Sequence, residues 1–399
     1  MGEWREVKIG DITNLYQGLA INKKTNYLLV EKSTLPLLRI KDLQENREEF
    51  FINDKEVSKK CIANEDDLIF TRTGIVGMVF MGKKGVVHNN CFRIVPKSDN
   101  VYLPFYYHYF NRDNMRDYLT NISAGSVQPD MNHTIFKTVK VPFPPLKEQK
   151  AIAEVLSALD NKIDLLHCQN KTLEKMAQTL FRQWFINGNG TLVPLKGEAK
   201  ASLPNEWEEV PLSDFGDIIC GKTPSKKKPE YHNGTVPFIK IPDMHGNTFI
   251  SNTADTLTEA GSNSQKNKLL PVKSICVSCI ATVGLVSMNI IESQTNQQIN
   301  SIIPKQENFR YFLYLYMKSS YDLLHAMASG GTATLNLNTG DFKKMEIIKP
   351  DEDTLDNFHA LVEPQFNKIF ENQQQIKTLE NTRDTLLPKL MSGDVRVEI

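Results

Sequence analysis

Between Leu146 and Phe185 apolar residues return with a period of seven: Ile152, Leu159, Leu166, Leu173 and Leu180, interleaved with Leu156, Ile163, Ala177 and Trp184. That spacing predicts one long helix with a heptad seam. Near the C-terminus, over about residues 353–391, the register recurs, with Leu355, Val362, Ile369 and Ile376 in one row and Phe358, Leu379 and Leu386 in the other. Two words align the copies without gaps: Asn161-Lys162-Ile163 with Asn367-Lys368-Ile369, and Lys171-Thr172-Leu173-Glu174 with Lys377-Thr378-Leu379-Glu380. A polar residue interrupts each seam, Asn170 in the first and Asn372 in the second. Placing both amides in one layer of an antiparallel pair sets Leu166 against Ile376, Leu173 against Ile369 and Leu156 against Leu386. An asparagine facing leucine instead strands a polar group, at about 1–3 kcal/mol. The expected interface is therefore Leu156, Leu159, Ile163, Leu166, Asn170, Leu173 and Leu180 on one helix and Ile369, Asn372, Ile376, Leu379 and Leu386 on the other. The alternative is two amphipathic helices, each packed on its own domain. Pro364 and Pro388 lie inside the second copy and are expected to kink it or end it early.

The repetition extends upstream. Glu3-Trp4-Arg5-Glu6-Val7 returns as Glu206-Trp207-Glu208-Glu209-Val210, and each opens a globular stretch rich in short β-type runs with Gly, Asn and Pro punctuation. A strand-turn-strand pattern over residues 67–79 matches 274–286, with Gly77 and Gly284 coinciding. Aromatic helices are expected at 103–110 and 309–317, then small polar loops at 123–128 and 329–334, then last strands at 140–143 and 346–348 that lead to prolines able to start a helix. An offset of about 203 to 208 residues holds throughout, which marks a duplicated domain and not a solenoid. The fold class expected is α+β: two similar globules in tandem, each followed by a long helix, the helices pairing as an antiparallel coiled coil. The boundaries read as globule 1–145, helix 146–187, linker 188–203, globule 204–350, helix 351–392 and tail 393–399.

Composition narrows the function. Lys plus Arg and Asp plus Glu each number 47 in 399 residues, so no gross basic excess announces nucleic acid. The last helix is acidic and unsuited to lie on phosphates. No apolar run approaches the roughly 18 residues of a membrane helix, and a cytoplasmic chain without membrane contact is expected. The six cysteines are scattered, as suits reduced thiols. Cys276-Val277-Ser278-Cys279 alone has metal-like spacing, and reads as strand core because no second pair follows.

Residues 216–223 spell the phosphate loop, G-x-x-x-x-G-K-T, yet Pro224 and Pro229 forbid the helix whose amides would hold the phosphate. Asp130, Glu148 and Lys150 resemble the acid and lysine set of a magnesium nuclease. Glu148 and Lys150 fall in the first turn of the long helix, however, and the second copy has Asn336 and Thr354 where the first has Asp130 and Glu148, so a helix-start acid is the better reading. No glycine-rich methyltransferase turn and no metal-spaced histidine pair occurs. No catalytic residue and no metal ligand is assigned.

Recognition remains. Lys222, Thr223, Ser225, Lys226, Lys227 and Lys228 form a basic turn carrying hydroxyls, and Arg72 and Thr73 sit at a turn in the first copy. Lys23, Lys24, Lys83 and Lys84 add charge suited to phosphate. Ser126, Gln128, Asn132, Thr332, Thr334, Asn336 and Asn338 offer the amides and hydroxyls that read base edges. Each alone is as well a solvated surface group; their recurrence in equivalent loops favours DNA binding.

The tandem globules with alternating helices, Pro144-Pro145-Leu146-Lys147-Glu148-Gln149 opening the first helix, and Gly221-Lys222-Thr223-Pro224-Ser225 with Pro229-Glu230-Tyr231 in the second globule, resemble the specificity subunit of type I restriction-modification enzymes. The likeness spans the whole chain, although the second helix opens with Asp351-Glu352-Asp353-Thr354 in place of the proline and Glu-Gln word. The resemblance implies two target recognition domains, each reading half of a split double-stranded DNA sequence, and a helical spacer. It implies two modification subunits that use S-adenosylmethionine, and restriction subunits that use ATP and magnesium, leaving this chain without a cofactor. A helix of about 40 residues spans roughly 60 Å, some 18 base pairs at 3.4 Å per step. Dissimilar globules imply an asymmetric target, and the neutral net charge implies weak DNA binding by the chain alone. Phe181, Trp184 and Phe185 are expected to be left over for docking the modification subunits. Two rivals remain: an adaptor that binds only proteins, and a nucleotide enzyme using residues 216–223.

Overall fold

The computed structural model describes residues 4–123, 129–186, 207–329 and 334–398; the linker expected at 188–203 lies outside them. The chain divides into two compact units, one of Met1–Asp164 with Lys377–Ile399 and one of Leu165–Ile376. Each holds one globule and a segment of both long helices.

In the first unit, Arg5–Lys8 pairs antiparallel with Lys140–Phe143, so the start and end of the globule close on each other. A four-stranded sheet follows in the order Thr13–Gln17, Cys91–Pro96, Leu68–Thr71, Val79–Phe80. The second unit repeats both features: Glu208–Pro211 pairs with Glu346–Lys349, and Gly216–Cys220, Ile299–Pro304, Ile275–Ser278 and Val286–Asn289 stand in the same order. Both hairpins turn alike. Gly77 and Gly284 each adopt φ of +90°, a conformation that side chains with a Cβ resist. Beside them, Thr71 Oγ1 and Ser278 Oγ each accept a backbone N–H at 2.9 Å, from Met78 and Leu285.

The units differ in the strands inserted between those of this sheet. In the first they are Leu37–Leu38, Gly85–Val87 and Ile62–Ala63 in one small sheet, with Leu29–Val30 and Phe51–Ile52 in another. In the second, one sheet joins Asp255–Leu257, His232–Ile239 and Gln294–Thr295, and Phe249–Ile250 extends the main sheet.

Leu146–Phe185 and Glu352–Ser392 are single helices of 40 and 41 residues. Pro364 and Pro388 neither end nor interrupt the second, contrary to expectation. Both rings are exposed, as are Ala360 and Asp384 four residues earlier, so the carbonyls they free face water. The helices run antiparallel within each unit separately. In the second, Asn372 meets Asn170 while Phe358 packs on Phe181 and Phe185, with ring centroids 6.0 and 4.8 Å apart. In the first, Arg383 pairs with Asp160 at 3.0 Å and Arg396 with Glu148.

Candidate nucleic-acid interface

The globules are fixed to the long helices by an element repeated at one sequence distance. Trp4 Nε1 donates to Glu148 at 3.0 Å, and Trp207 Nε1 donates to Asp351 at 3.0 Å, both across 144 residues. The counterpart of Glu148 is therefore Asp351 and not Thr354. Thr354 bonds Asp351 through N–H and hydroxyl, at 2.8 and 2.6 Å, and these bonds hold the Asp351 carboxyl below the usual carboxylate range. The signal was present in the repeated Glu-Trp words, but their carboxylate partner lies too far along the chain to be read locally. Gln149, fully buried, adds bonds from Tyr102 N at 2.8 Å and to the Asn100 and Pro144 carbonyls. In the second unit Asn308 to Asp356, at 2.7 Å, also ties an aromatic helix's start to a long helix.

Between the long helices, Asn372 Nδ2 donates to Asn170 Oδ1 at 2.9 Å. Leu156, Ile163, Leu166, Ile369, Asn372 and Ile376 are buried, while Leu159, Asn170, Leu173, Leu180, Leu379 and Leu386 are half-buried. Phe181 and Phe185 are not left over for a partner: they are buried among Phe312, Phe358 and Trp207. Trp184 stays 39% exposed.

The expected DNA-contacting residues differ in exposure and in the bonds they make within the protein. Arg72 is committed: its Nε and Nη2 donate to Asp130 at 3.0 and 2.6 Å and its Nη1 to Gln17 at 2.9 Å. Thr73 Oγ1 gives Asp130 a third bond, at 2.6 Å. The Arg72 hydrogen bonds, helped by Thr73, hold the Asp130 carboxyl below its ordinary range. Arg72 and Thr73 thus brace the hairpin turn against the 129–131 segment, and neither is a free phosphate ligand. Asn132 and Asn338 cap short helices, their Oδ1 atoms accepting from Ile135 N and Asp341 N at 2.9 Å each. Their Oδ1 atoms serve the backbone, as the N-cap role demands. Lys83 is bonded to Asn46, and Lys228 donates to the Tyr231 hydroxyl at 3.0 Å.

Lys23, Lys24, Lys84, Lys222, Ser225, Lys226 and Lys227 are exposed, as are Thr334 and Asn336, and Thr223 is half-buried. Ser126, Gln128 and Thr332 lie outside the described residues. Residues 216–223 form no phosphate cradle. Gly216–Cys220 is a strand, the amides of Gly221 and Lys222 donate to Ile299 O and Thr295 O, and no helix starts at Thr223, the next being the single turn Pro229–Tyr231. Cys276 and Cys279 are buried, and burial pushes their thiols up, to about 12 and about 11. Among the described residues no three His, Cys, Asp or Glu side chains cluster to hold a metal, and no helix is long and apolar enough to cross a membrane.

A duplicated framework that carries dissimilar inserts, with exposed cations in the loops of its globules, fits a two-headed reader. The sequence comparisons agree: residues 1–175 and 204–381 both match the type I restriction modification DNA specificity domain. The chain belongs to this family of specificity subunits, whose role is non-catalytic. It is 33% identical to the HindI specificity subunit of Haemophilus influenzae over 467 aligned positions, covering 99% of this chain and 100% of that one. It is 29% identical to the MjaIX specificity subunit of Methanocaldococcus jannaschii, covering 99% and 94%. The fold is shared with the S subunit of a type I restriction-modification system from M. genitalium, with a TM-score of 0.64 at 14% identity over 98% and 96% of the two chains.

Proposed function

We propose that this specificity subunit reads a bipartite, asymmetric double-stranded DNA sequence, one half through each globule, and scaffolds the subunits that act on it. Two modification subunits would supply S-adenosylmethionine and methylate adenine. Restriction subunits would bring ATP and magnesium for cleavage, and the complex would work in the cytoplasm. The observation that carries this reading is the contrast inside each repeat: matching framework strands and Trp-carboxylate anchors surround inserts that differ in strand order. Common framework suits a common scaffold; divergent inserts suit two different half-sites. The nucleotide-enzyme rival is disfavoured because Gly221 is packed where a Cβ would lie 2.1 Å from the Asn296 carbonyl, with no space for a phosphate.

Co-expression with modification subunits, followed by sequencing for methylated adenine, tests the proposal. A two-part motif is expected, and exchanging residues 1–145 should change one half and leave the other intact. An assembled complex that neither binds nor methylates DNA would instead favour the protein-only adaptor. The neutral net charge predicts that the isolated chain binds DNA more weakly than the assembly and loses that binding readily with salt.

A further inference from the structure

We propose that Gln297, held by Thr223, reads a base edge in the half-site of the second globule, with Lys222, Lys266 and Lys268 on flanking phosphates; this rests on the DNA-reading function above. Gln297 is the one exposed residue in 293–301, a run otherwise buried or half-buried. Thr223 Oγ1 donates to its Oε1 at 2.7 Å, and among the described residues its Nε2 has no partner. An amide held in this way keeps one oxygen lone pair and two N–H donors. Those are the groups that meet N6 and N7 of adenine in the major groove.

The support beneath is rigid. Gly221 N donates to Ile299 O at 3.0 Å and Lys222 N to Thr295 O at 2.9 Å. The buried Gln265 amide bridges Lys222 O and Gln294 Oε1, at 2.7 Å each. That bridge sets the one-turn helix Lys266–Lys268 beside Lys222. Among the described residues, none of these three lysines has an acidic partner. Cations around a fixed, exposed amide match the division of labour at DNA interfaces, where phosphate contacts position and base contacts specify.

The first unit keeps the one-turn helix but not the turn lysine: Leu19, whose N–H donates to Val87 O as that of Lys222 donates to Thr295 O, stands where the second unit has Lys222. The first unit's one-turn helix Lys59–Cys61 docks at the end of Thr13–Gln17, with Cys61 Sγ 3.6 Å from Gln17 O. Cys91 stands opposite Thr71 as Ile299 stands opposite Ser278, so Asn89, half-buried and one methylene shorter, stands where the second unit has the exposed Gln297; its carbonyl accepts from Gln17 Nε2 at 2.7 Å. A missing lysine and a shorter, less exposed amide in the first unit suit an asymmetric target.

The test uses the full chain co-expressed with modification subunits. Gln297→Ala should relax the preference for adenine at one position of one half-site by about five- to hundredfold. Gln297→Glu should move that preference toward cytosine, whose N4 amine donates to a carboxylate. Lys266→Ala with Lys268→Ala should leave the motif unchanged and reduce the slope of log affinity against log salt by about two. Melting temperatures equal to wild type guard against misfolding. If both Gln297 variants keep the wild-type motif, the base-reading role is overturned while DNA reading stands; an unchanged salt slope overturns the phosphate role. If the wild-type complex yields no two-part methylated motif, the underlying function itself fails.

Discussion

In the first unit the aromatic helix Leu103–Phe110 shares an apolar core with Ile152, Ala153 and Leu156 and also meets the long helices through a polar network: His108 Nε2 lies 3.0 Å from Ser157 Oγ and its Nδ1 3.6 Å from Asp160, which pairs with Arg383. A cleft of about 1120 Å³ opens alongside. In the second unit the corresponding helix Phe309–Ser319 meets them through rings. Tyr311 stacks on Phe366 with centroids 4.2 Å apart and planes within 5°, and Tyr314 donates to Glu174 at 2.6 Å, a carboxylate shared with Lys318 at 3.1 Å. The duplication therefore preserves the place where globule and helices join, while the chemistry of the join has diverged. A seam dominated by aromatic packing depends on volume; one that adds a buried histidine network depends also on protonation.

The largest expected effect comes from Phe366→Ala. It removes a fully buried ring that also faces Tyr314 and Phe249, and should destabilise the second unit by about 3–5 kcal/mol in denaturant titration. Protection of first-unit amides in hydrogen exchange should change far less. Asn170→Leu leaves the buried Asn372 amide without its closest partner and should cost about 1–3 kcal/mol, whereas Asn170→Leu with Asn372→Leu should recover much of the loss. Equal losses in the single and double variants would mean the amide pair contributes nothing to register. Trp4→Phe and Trp207→Phe each remove one indole hydrogen bond to a carboxylate and should cost about 1 kcal/mol in their own unit, a test of whether the anchors are equivalent.

Acid should separate the units more gently. Burial lowers the pKa of His88, His108 and His133 in the first unit, and of His359 in the second; Asp160 opposes the shift at His108 and Glu363 at His359. A histidine whose folded pKa lies below its ordinary 6.5 takes up its proton more readily when unfolded. Its stabilising contribution is thus complete above pH 6.5 and fades as pH falls toward the folded value. Hydrogen exchange from pH 7 to 5 should show the first unit loosening before the second, and His108→Gln should shrink that difference.

The long helices were legible because their heptads are local: each seam residue announces itself three or four positions from the next, and Asn170 and Asn372 stand out as polar breaks. The duplication was legible from repeated words. The candidate interface was less so. Lysines at 222, 226 and 227 are exposed as their turn chemistry suggests, but Arg72 could not be recognised as a brace, since Asp130 and Gln17 lie 58 and 55 residues away. Asn132 and Asn338 carried a readable capping signal, one residue before a short helix, that competes with any base-reading role. Gln297 gave no signal, because its exposure within a buried run exists only after the sheet has formed.

By itself the amino-acid order determined the period of the helices, the twofold repetition and the punctuation of the strands, all of which depend on neighbours a few residues apart or on copies of one word. Tertiary structure decided which charges are free, which amides serve the backbone, and why two exposed prolines leave a helix continuous. Those outcomes depend on partners brought together from distant parts of the chain, and on which side of an element faces water. Burial and pairing set whether a polar group is spent inside the protein or left to meet a ligand.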